Sequence, residues 1–553
     1  MKNLRTHAQI RVITKDGNLV YDSVNADILQ VTTQKDLANS SGFFTIVLSP
    51  RIAKSQTNTI GTSYIPDIVK PFDLVQISFK TTGDYKTEMI GFVSRAFIDF
   101  KVDTSTGKPN RTLTIEGFDL TKAIQNYKLF FNPYVTGDDF SAAFGGLVFY
   151  GTEKGEKIFN SKNPAEFIKA FLEQAFLNTF NAADPKKESP YYGFSFGRQS
   201  SSQASGSKGL PSDEPVAYDK TIGIKLNDLI DFNSGISTAF KGNKMINPYI
   251  LAGLGAGVEI SIWDIAKSYS DPPFHECFVD LRRPTKDKSA DNVEKEHIIP
   301  PQAGDGNQPY VFYMRTSPFS QDAWRNLNKH YFSPADLIAQ NTATSEDNIY
   351  NYYQVICEME NVLMGSIQVA ALSAVTDSAK LGRPRVPIFD VESMKNFGLK
   401  RFPVDKTKYV DFITDSNNVA QTAALDVIKA QATLARELFR WFSFGEDFET
   451  GTISLKGRVG VGEDGITIGS KLVELNGAGE RTGKEFYIES VQQNWQFGNS
   501  LTTTISVTRG HFPENYTDAL TNQTKLGRFN KVAQREVELG LDQASNKEYF
   551  NQL

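Results

Sequence analysis

Apolar and polar residues alternate over short runs through the first 125 residues. Ala8, Ile10 and Val12 are interleaved with Gln9 and Arg11; Phe44, Ile46 and Leu48 flank Thr45; Val75, Ile77 and Phe79 alternate with Gln76, Ser78 and Lys80; Leu113 and Ile115 sit among Thr112, Thr114 and Glu116. Period-two alternation broken by turn groups such as Asp16-Gly17-Asn18 and Thr82-Gly83-Asp84 predicts half-buried antiparallel strands, for which a small barrel or sandwich is the simplest closure.

The texture changes after residue 126. Asn163-Pro164-Ala165-Glu166 opens a helix whose apolar face carries Phe167, Phe171 and Ala175. A Ser/Gly/Gln-rich stretch, 198–215, predicts a solvent-facing loop, a second helix covers Ile260 to Tyr269, and strands Cys277–Leu281 and Val311–Arg315 flank a long polar loop. Ala420, Ala424, Val427, Leu434, Leu438 and Trp441 mark one face of an amphipathic helix over about 418–442. A second strand-rich block follows from Gly451 to Gly510, and the closing residues predict a helix or arm.

The two strand-rich blocks echo each other. Leu74-Val75 begins a strand in one and Leu472-Val473 in the other; Val93 and Val491 each follow 18 residues after the Val; strands of alternating Thr and apolar residues come next, at Thr112–Ile115 and Thr502–Ile505. This spacing predicts two similar units.

Composition narrows the class. A 553-residue chain exceeds one hydrophobic core, and 40% apolar with 12% aromatic residues is the content of a folded protein. A net charge of −5 argues against a dedicated, sequence-specific nucleic-acid binder. Cys277 and Cys357 are too few for a disulfide framework, so a reducing site of synthesis is expected; neither a secretion-type leader nor a membrane span is read in the chain.

Catalysis needs convergent groups with tuned ionisation. His7, His275, His297, His330 and His511 are scattered, and His275 with Cys277 share a strand face without two further metal ligands. The Gly253, Gly255, Gly257 run lacks phosphate-binding spacing, and Trp263, Trp324, Trp441 and Trp495 fall in periodic segments as core anchors. No catalytic, cofactor-binding or metal-binding residue is assigned, and no cofactor is expected.

Several segments taken in order resemble the central hub proteins of contractile-tail baseplates, in phages and related injection systems. Gly465–Val473, Phe486–Val491 and Thr502–Gly510 are similar to the family's closing strands. Asp390–Lys400 resembles the family's Ser-x-x-x-Tyr-Gly-x-Arg stretch, with Phe397 in place of Tyr and Lys400 in place of Arg. Ile262-Trp263-Asp264-Ile265, Glu276–Asp280 and Arg315–Phe319 resemble its central domain, and Phe72–Val75 with Gly91–Val93 its front. The segments at 195–218 and 285–308 have no counterpart there.

The resemblance implies a mainly β chain with α+β insertions. Two tube-like antiparallel β-barrel domains, 1–125 and the later part of 387–515, would flank a mixed α/β region, 126–386, with an arm at 516–553. It also implies a non-enzymatic homotrimer with pseudo-six-fold symmetry and a lumen. Expected partners are the tail tube protein, the central spike protein, other baseplate proteins and a tape-measure protein in the lumen. The expected location is the virion tail or an assembled injection particle, after synthesis in the host cytoplasm. A tail-associated cell-wall hydrolase and a receptor-binding tail-tip protein are the alternatives.

Overall fold

A computed structural model of the chain describes residues 6–14, 17–39, 41–49, 69–81, 85–102, 109–119, 121–126, 128–130, 230–235, 259–270, 272–281, 310–355, 388–403, 434–457, 465–475, 481–499 and 501–512. The helix expected from Asn163, the loops at 198–215 and 285–308, the first part of the 418–442 helix and the arm at 516–553 lie outside them.

The amino-terminal strands are β1 (His7–Thr14), β2 (Gly17–Asp22), β3 (Ile28–Asp36), β4 (Phe43–Leu48), β5 (Leu74–Lys80), β6 (Lys86–Val102) and β7 (Pro109–Asp119). The middle of the chain contributes β8 (Lys128–Phe130), β9 (Ile230–Gly235), β10 (Glu259–Ser261), β11 (His275–Leu281) and β12 (Tyr310–Thr316). Then come β13 (Lys329–Phe332), β14 (Leu337–Thr344), β15 (Tyr352–Tyr353), β16 (Ile388–Phe389), β17 (Glu449–Lys456), β18 (Lys471–Leu475), β19 (Arg481–Gln496) and β20 (Thr502–His511). The helices are α1 (Thr121–Asn126), α2 (Ile262–Ser270), α3 (Gln321–Asn326), α4 (Val391–Phe397) and α5 (434–442).

The fold is mainly β. Thirteen of the described strands form one sheet in the order β14-β17-β20-β19-β3-β4-β7-β6-β5-β1-β2, with β18 beside β19 and β13 beside β18. Every pairing in it is antiparallel except β13 with β18. The described strands run through a single sheet, joined where β19 pairs with β18 at its start and with β3 at its end.

That sheet carries two cores. Strands β1 to β7 enclose Ala8, Ile10, Val12, Ile46, Val75, Ile77 and Ile115, the positions the alternation marks as inward. Strands β17 to β20 enclose Ile453, Leu455, Leu472, Phe486, Ile488 and Ile505 together with Ile466 and Phe332. The alternation fails in β5, where Gln76 and Ser78 are buried as well as their apolar neighbours; Gln76 Nε2 is satisfied by Thr87 Oγ1 at 2.7 Å.

The expected strands around Cys277 and Val311 are β11 and β12, which pair antiparallel and accept β9 in parallel on the far side of β12. Phe278 and Tyr313 from this small sheet pack against the second core, with rings stacked at 5.0 Å. The helix expected from Ile260 is α2. Ser261 caps it: its Oγ accepts from the Asp264 N–H at 3.0 Å and donates back to the Asp264 carboxylate at 2.6 Å.

Candidate assembly surface

The two blocks share a strand order and most of their register; β19-β20 carries a further slip between Glu485 and Tyr487, and β17-β20 one between Glu449 and Gly451, that the first block lacks. In the first, β5-β6-β7-β4-β3 are neighbours in that order; in the second, β18-β19-β20-β17-β14 are. Ile46 lies opposite Ile115 and Ile453 opposite Ile505; Thr45 opposite Glu116 and Thr452 opposite Ser506. The hairpin β3-β4 slips register between Ile28 and Gln30, and β14-β17 slips at the corresponding place, between Leu337 and Ala339. The pair β6-β7 is irregular between Val93 and Arg95, and β19-β20 between Ile488 and Ser490. Bulges reposition a strand's side chains and are retained as features of a fold, so two shared bulges weigh more than a shared strand count.

The turns correspond too. Phe72 N–H donates to Val93 O at 2.8 Å and Gly469 N–H to Ile488 O at 2.9 Å; Val93 and Ile488 return bonds to Asp73 O and Ser470 O. Phe72 and Gly469 both adopt left-handed backbone, with φ of 72° and 69°. Glycine is needed at the second site because a Cβ there would lie 2.7 Å from the Arg315 guanidinium and 2.8 Å from the Phe278 ring.

This register corrects the sequence echo. Val93 corresponds to Ile488, not to Val491, and Val75 corresponds to Leu472. The shared spacing of 18 residues is therefore a coincidence within a real duplication, and only the third strand, Thr112–Ile115 against Thr502–Ile505, is matched as the sequence suggests.

Within the chain the two blocks join along β19 and β3, from Ser490 opposite Asp36 to Gln496 opposite Gln30. Trp495 leaves β19 and enters the first block's core, 2% exposed, where its Nε1–H donates to Thr6 O at 2.8 Å. The backbone ladder continues past the strand ends, with Leu37 N–H to Glu489 O at 2.9 Å and Phe497 N–H to Leu29 O at 2.8 Å. Lys35 of β3 reaches away from the ladder to Asp280 of β11 at 2.7 Å, and the second Asp280 oxygen accepts the Ile468 N–H at 3.1 Å. One carboxylate thus links the first block, the small sheet and the second block.

The second block is braced by further buried charge. Lys471 and Glu485 pair at 2.9 Å with both side chains sealed from water, and the same carboxylate oxygen accepts Trp324 Nε1–H at 2.7 Å. Arg315 pairs with Glu276 at 2.9 Å and donates to Gly469 O, while the Tyr487 hydroxyl also donates to Glu276; burial and that carboxylate push the phenol well above its ordinary range. The Arg509 guanidinium lies 3.7 Å from the Phe319 ring centroid, 4.5 Å from Phe442 and 5.0 Å from Phe448, and donates to Trp441 O at 2.7 Å.

Of the groups weighed for catalysis, His297 and the Gly253, Gly255, Gly257 run lie outside the described residues. His275 and Cys277 are both buried on β11; burial takes the imidazole down to about 3 and the thiol up to about 12, which leaves both neutral and unreactive near neutrality. His330 hydrogen-bonds Thr467 at 3.0 Å. Trp263, Trp324, Trp441 and Trp495 are all buried, as anchors should be. Among the described residues no cluster of His, Cys, Asp and Glu could hold a metal ion, and no helix is long and apolar enough to cross a membrane.

Fold and junction together define a mainly β protein built on a duplicated sheet unit. Solved structures similar to the chain are proteins of phage tails and of type VI secretion. The tail protein of Neisseria meningitidis MC58 aligns at TM-score 0.39 and 9% identity, over 91% of this chain and 96% of its own. The 43 kDa tail protein of prophage MuSo2 from Shewanella oneidensis aligns at 0.39 and 9%, over 91% and 98%. A Francisella PdpA–VgrG complex aligns at 0.35 and 12%, over 94% of this chain and 54% of that one. No protein-family profile and no curated protein sequence matches. Likenesses this distant assign neither family nor activity.

Proposed function

We propose that this chain is a structural component of a contractile tail or related injection particle, the hub of its baseplate. Three copies form a closed ring in which each copy supplies two similar sheet blocks. The ring then presents six similar units toward a six-fold tail tube and three-fold symmetry toward a central spike, around a lumen through which cargo passes. The observation that supports this reading is the duplication: two blocks with one strand order, matching register over most of their ladders and two bulges in common. An interface repeated head to tail closes into a symmetric ring when its rotation divides a full turn. The role is scaffolding, with the tube, the spike, neighbouring baseplate proteins and a lumenal tape-measure protein as partners.

Native mass spectrometry and negative-stain imaging of the purified full-length chain test the reading. Three-chain rings with a central opening are expected. A dominant two- or four-chain species, or a monomer that clears a cell-wall zymogram, would overturn it.

A further inference from the structure

The duplication places a second junction on the molecule. Inside the chain, β19 of the second block runs beside β3 of the first. The counterpart of β19 is β6 and the counterpart of β3 is β14. β5 covers β6 only over Lys86–Phe92, and β14 ends the strand order with no described strand on its outer side. We infer that β6 of one copy takes up β14 of a second copy as the antiparallel equivalent of the β19–β3 junction. Arg95 would then lie opposite Ser345, Ile98 opposite Thr342, Asp99 opposite Asn341 and Lys101 opposite Ala339.

Three observations carry this. The first is the register itself: the bulges at Ser94 and Glu489 and at Leu29 and Ile338 fix the correspondence without a free parameter. Transferred across it, the bonds that close the ladder become Val102 N–H to Ile338 O and Glu346 N–H to Ser94 O.

The second is the apolar surface. Trp495, 2% exposed in the first block's core, corresponds to Phe100, which is 55% exposed; Val102 and Ile338 are 56% and 49% exposed. Exposed large apolar side chains grouped on two strand edges mark an interaction surface, and in the pairing Phe100 enters the second copy's β17–β20 core as Trp495 enters the β1–β7 core.

The third is the chemistry of β14. Its sequence, Leu-Ile-Ala-Gln-Asn-Thr-Ala-Thr, has no charge and no Pro along eight outward-lying residues that are mostly exposed. Edge strands that stay free are commonly blunted by Lys or Pro to prevent sheet extension; β14 has neither, and its one bulge lies at its first residues, between Leu337 and Ala339. The transferred pairing also sets no like charges opposite each other, since Arg95, Asp99 and Lys101 face Ser345, Asn341 and Ala339.

The inference deepens the ring reading by naming the edges and the register that close it. The test mixes full-length Asp99→Cys with full-length Asn341→Cys under mild oxidation. Matched positions sit about 4.5–5.5 Å apart across such a ladder, within disulfide reach, whereas a two-residue slip is about 7–8 Å. A disulfide-linked two-chain product is expected from this mixture, with little from either variant alone or from Asp99→Cys with Ala343→Cys. As a second measurement, Phe100→Asp should weaken self-association by at least about tenfold, as loss of a central aromatic anchor does, and Phe100→Leu, which keeps an apolar side chain, should weaken it less. Three-chain rings without the matched crosslink overturn the inference and leave the ring reading; the matched crosslink in an assembly of another number does the reverse. No crosslink and no ring overturn both.

Discussion

Lys35 Nζ lies 2.7 Å from Asp280 Oδ1, with 7% and 2% of the two side chains exposed. A buried pair of this kind is a weak source of net stability, but removing one partner strands the other charge. Asp280→Asn should lower the denaturant-unfolding free energy by about 3–5 kcal/mol. Lys35→Met combined with Asp280→Asn should recover part of that loss. A double variant no better than Asp280→Asn would show that the carboxylate matters through Ile468 N–H rather than through the lysine.

Trp495 joins the blocks by packing as well as by its bond to Thr6 O. Trp495→Ala should cost about 3–5 kcal/mol, the range for emptying a large aromatic site. Trp495→Phe should cost much less, since it leaves most of the packing and removes one hydrogen bond. Hydrogen exchange should speed in β3 and β19 before β20; uniform acceleration would mean that the junction does not open as a unit.

His275, held to about 3, and His511, lowered to about 4, are both buried and neutral in the fold. Burial is the main cause in each, with the Arg509 and Lys471 charges also lowering His511. Because both folded values lie below the unfolded value of about 6.5, their contribution is whole above that pH and is lost as pH falls toward 4, at up to about 1.4 kcal/mol per pH unit for each group. Asp119 works the other way: burial raises it to about 6, so its contribution is present at low pH and lost as pH rises through 6. Two losses outweigh one gain, and melting midpoints should drop between pH 6.5 and 4. His275→Leu should flatten that profile; an unchanged slope would exclude His275 as a source.

Arg509 lies against the faces of Phe319, Phe442 and Phe448 and donates to the Trp441 carbonyl, a site shaped for a planar cation. Arg509→Lys keeps the charge but loses the stacking, and should destabilise by about 1–3 kcal/mol. A neutral result in thermal melts would assign the cage to packing among the phenylalanines alone.

Much of the fold was legible because local alternation is a local signal. Ala8, Ile10, Val12, Phe44, Ile46 and Leu48 are all inward, as period two requires. The junction was not legible. Residues 30–36 and 490–496 pair across most of the chain, and Gln, Thr and Asn on those strands read as solvent-facing when they are half a ladder. Lys35 is the sharpest case: its charge marks it as surface, yet Asp280 makes burial tolerable. The duplication could be sensed but not registered, since the bulges at Ser94 and Glu489 shift strand positions in ways no spacing reveals.

The hairpin strands β3 and β4 are separated by residues 37–42, whereas their counterparts β14 and β17 are separated by residues 345–448. Equal registers over such unequal connections give the two halves different histories as the chain leaves the ribosome. The first hairpin can close as soon as β4 emerges, while β14 must wait for a distant partner, with its uncharged run open in the meantime. Growth conditions that slow elongation through 345–448 should therefore raise the yield lost to aggregation far more than slowing through 37–42, making this waiting strand the step at which synthesis of the protein is most easily spoiled.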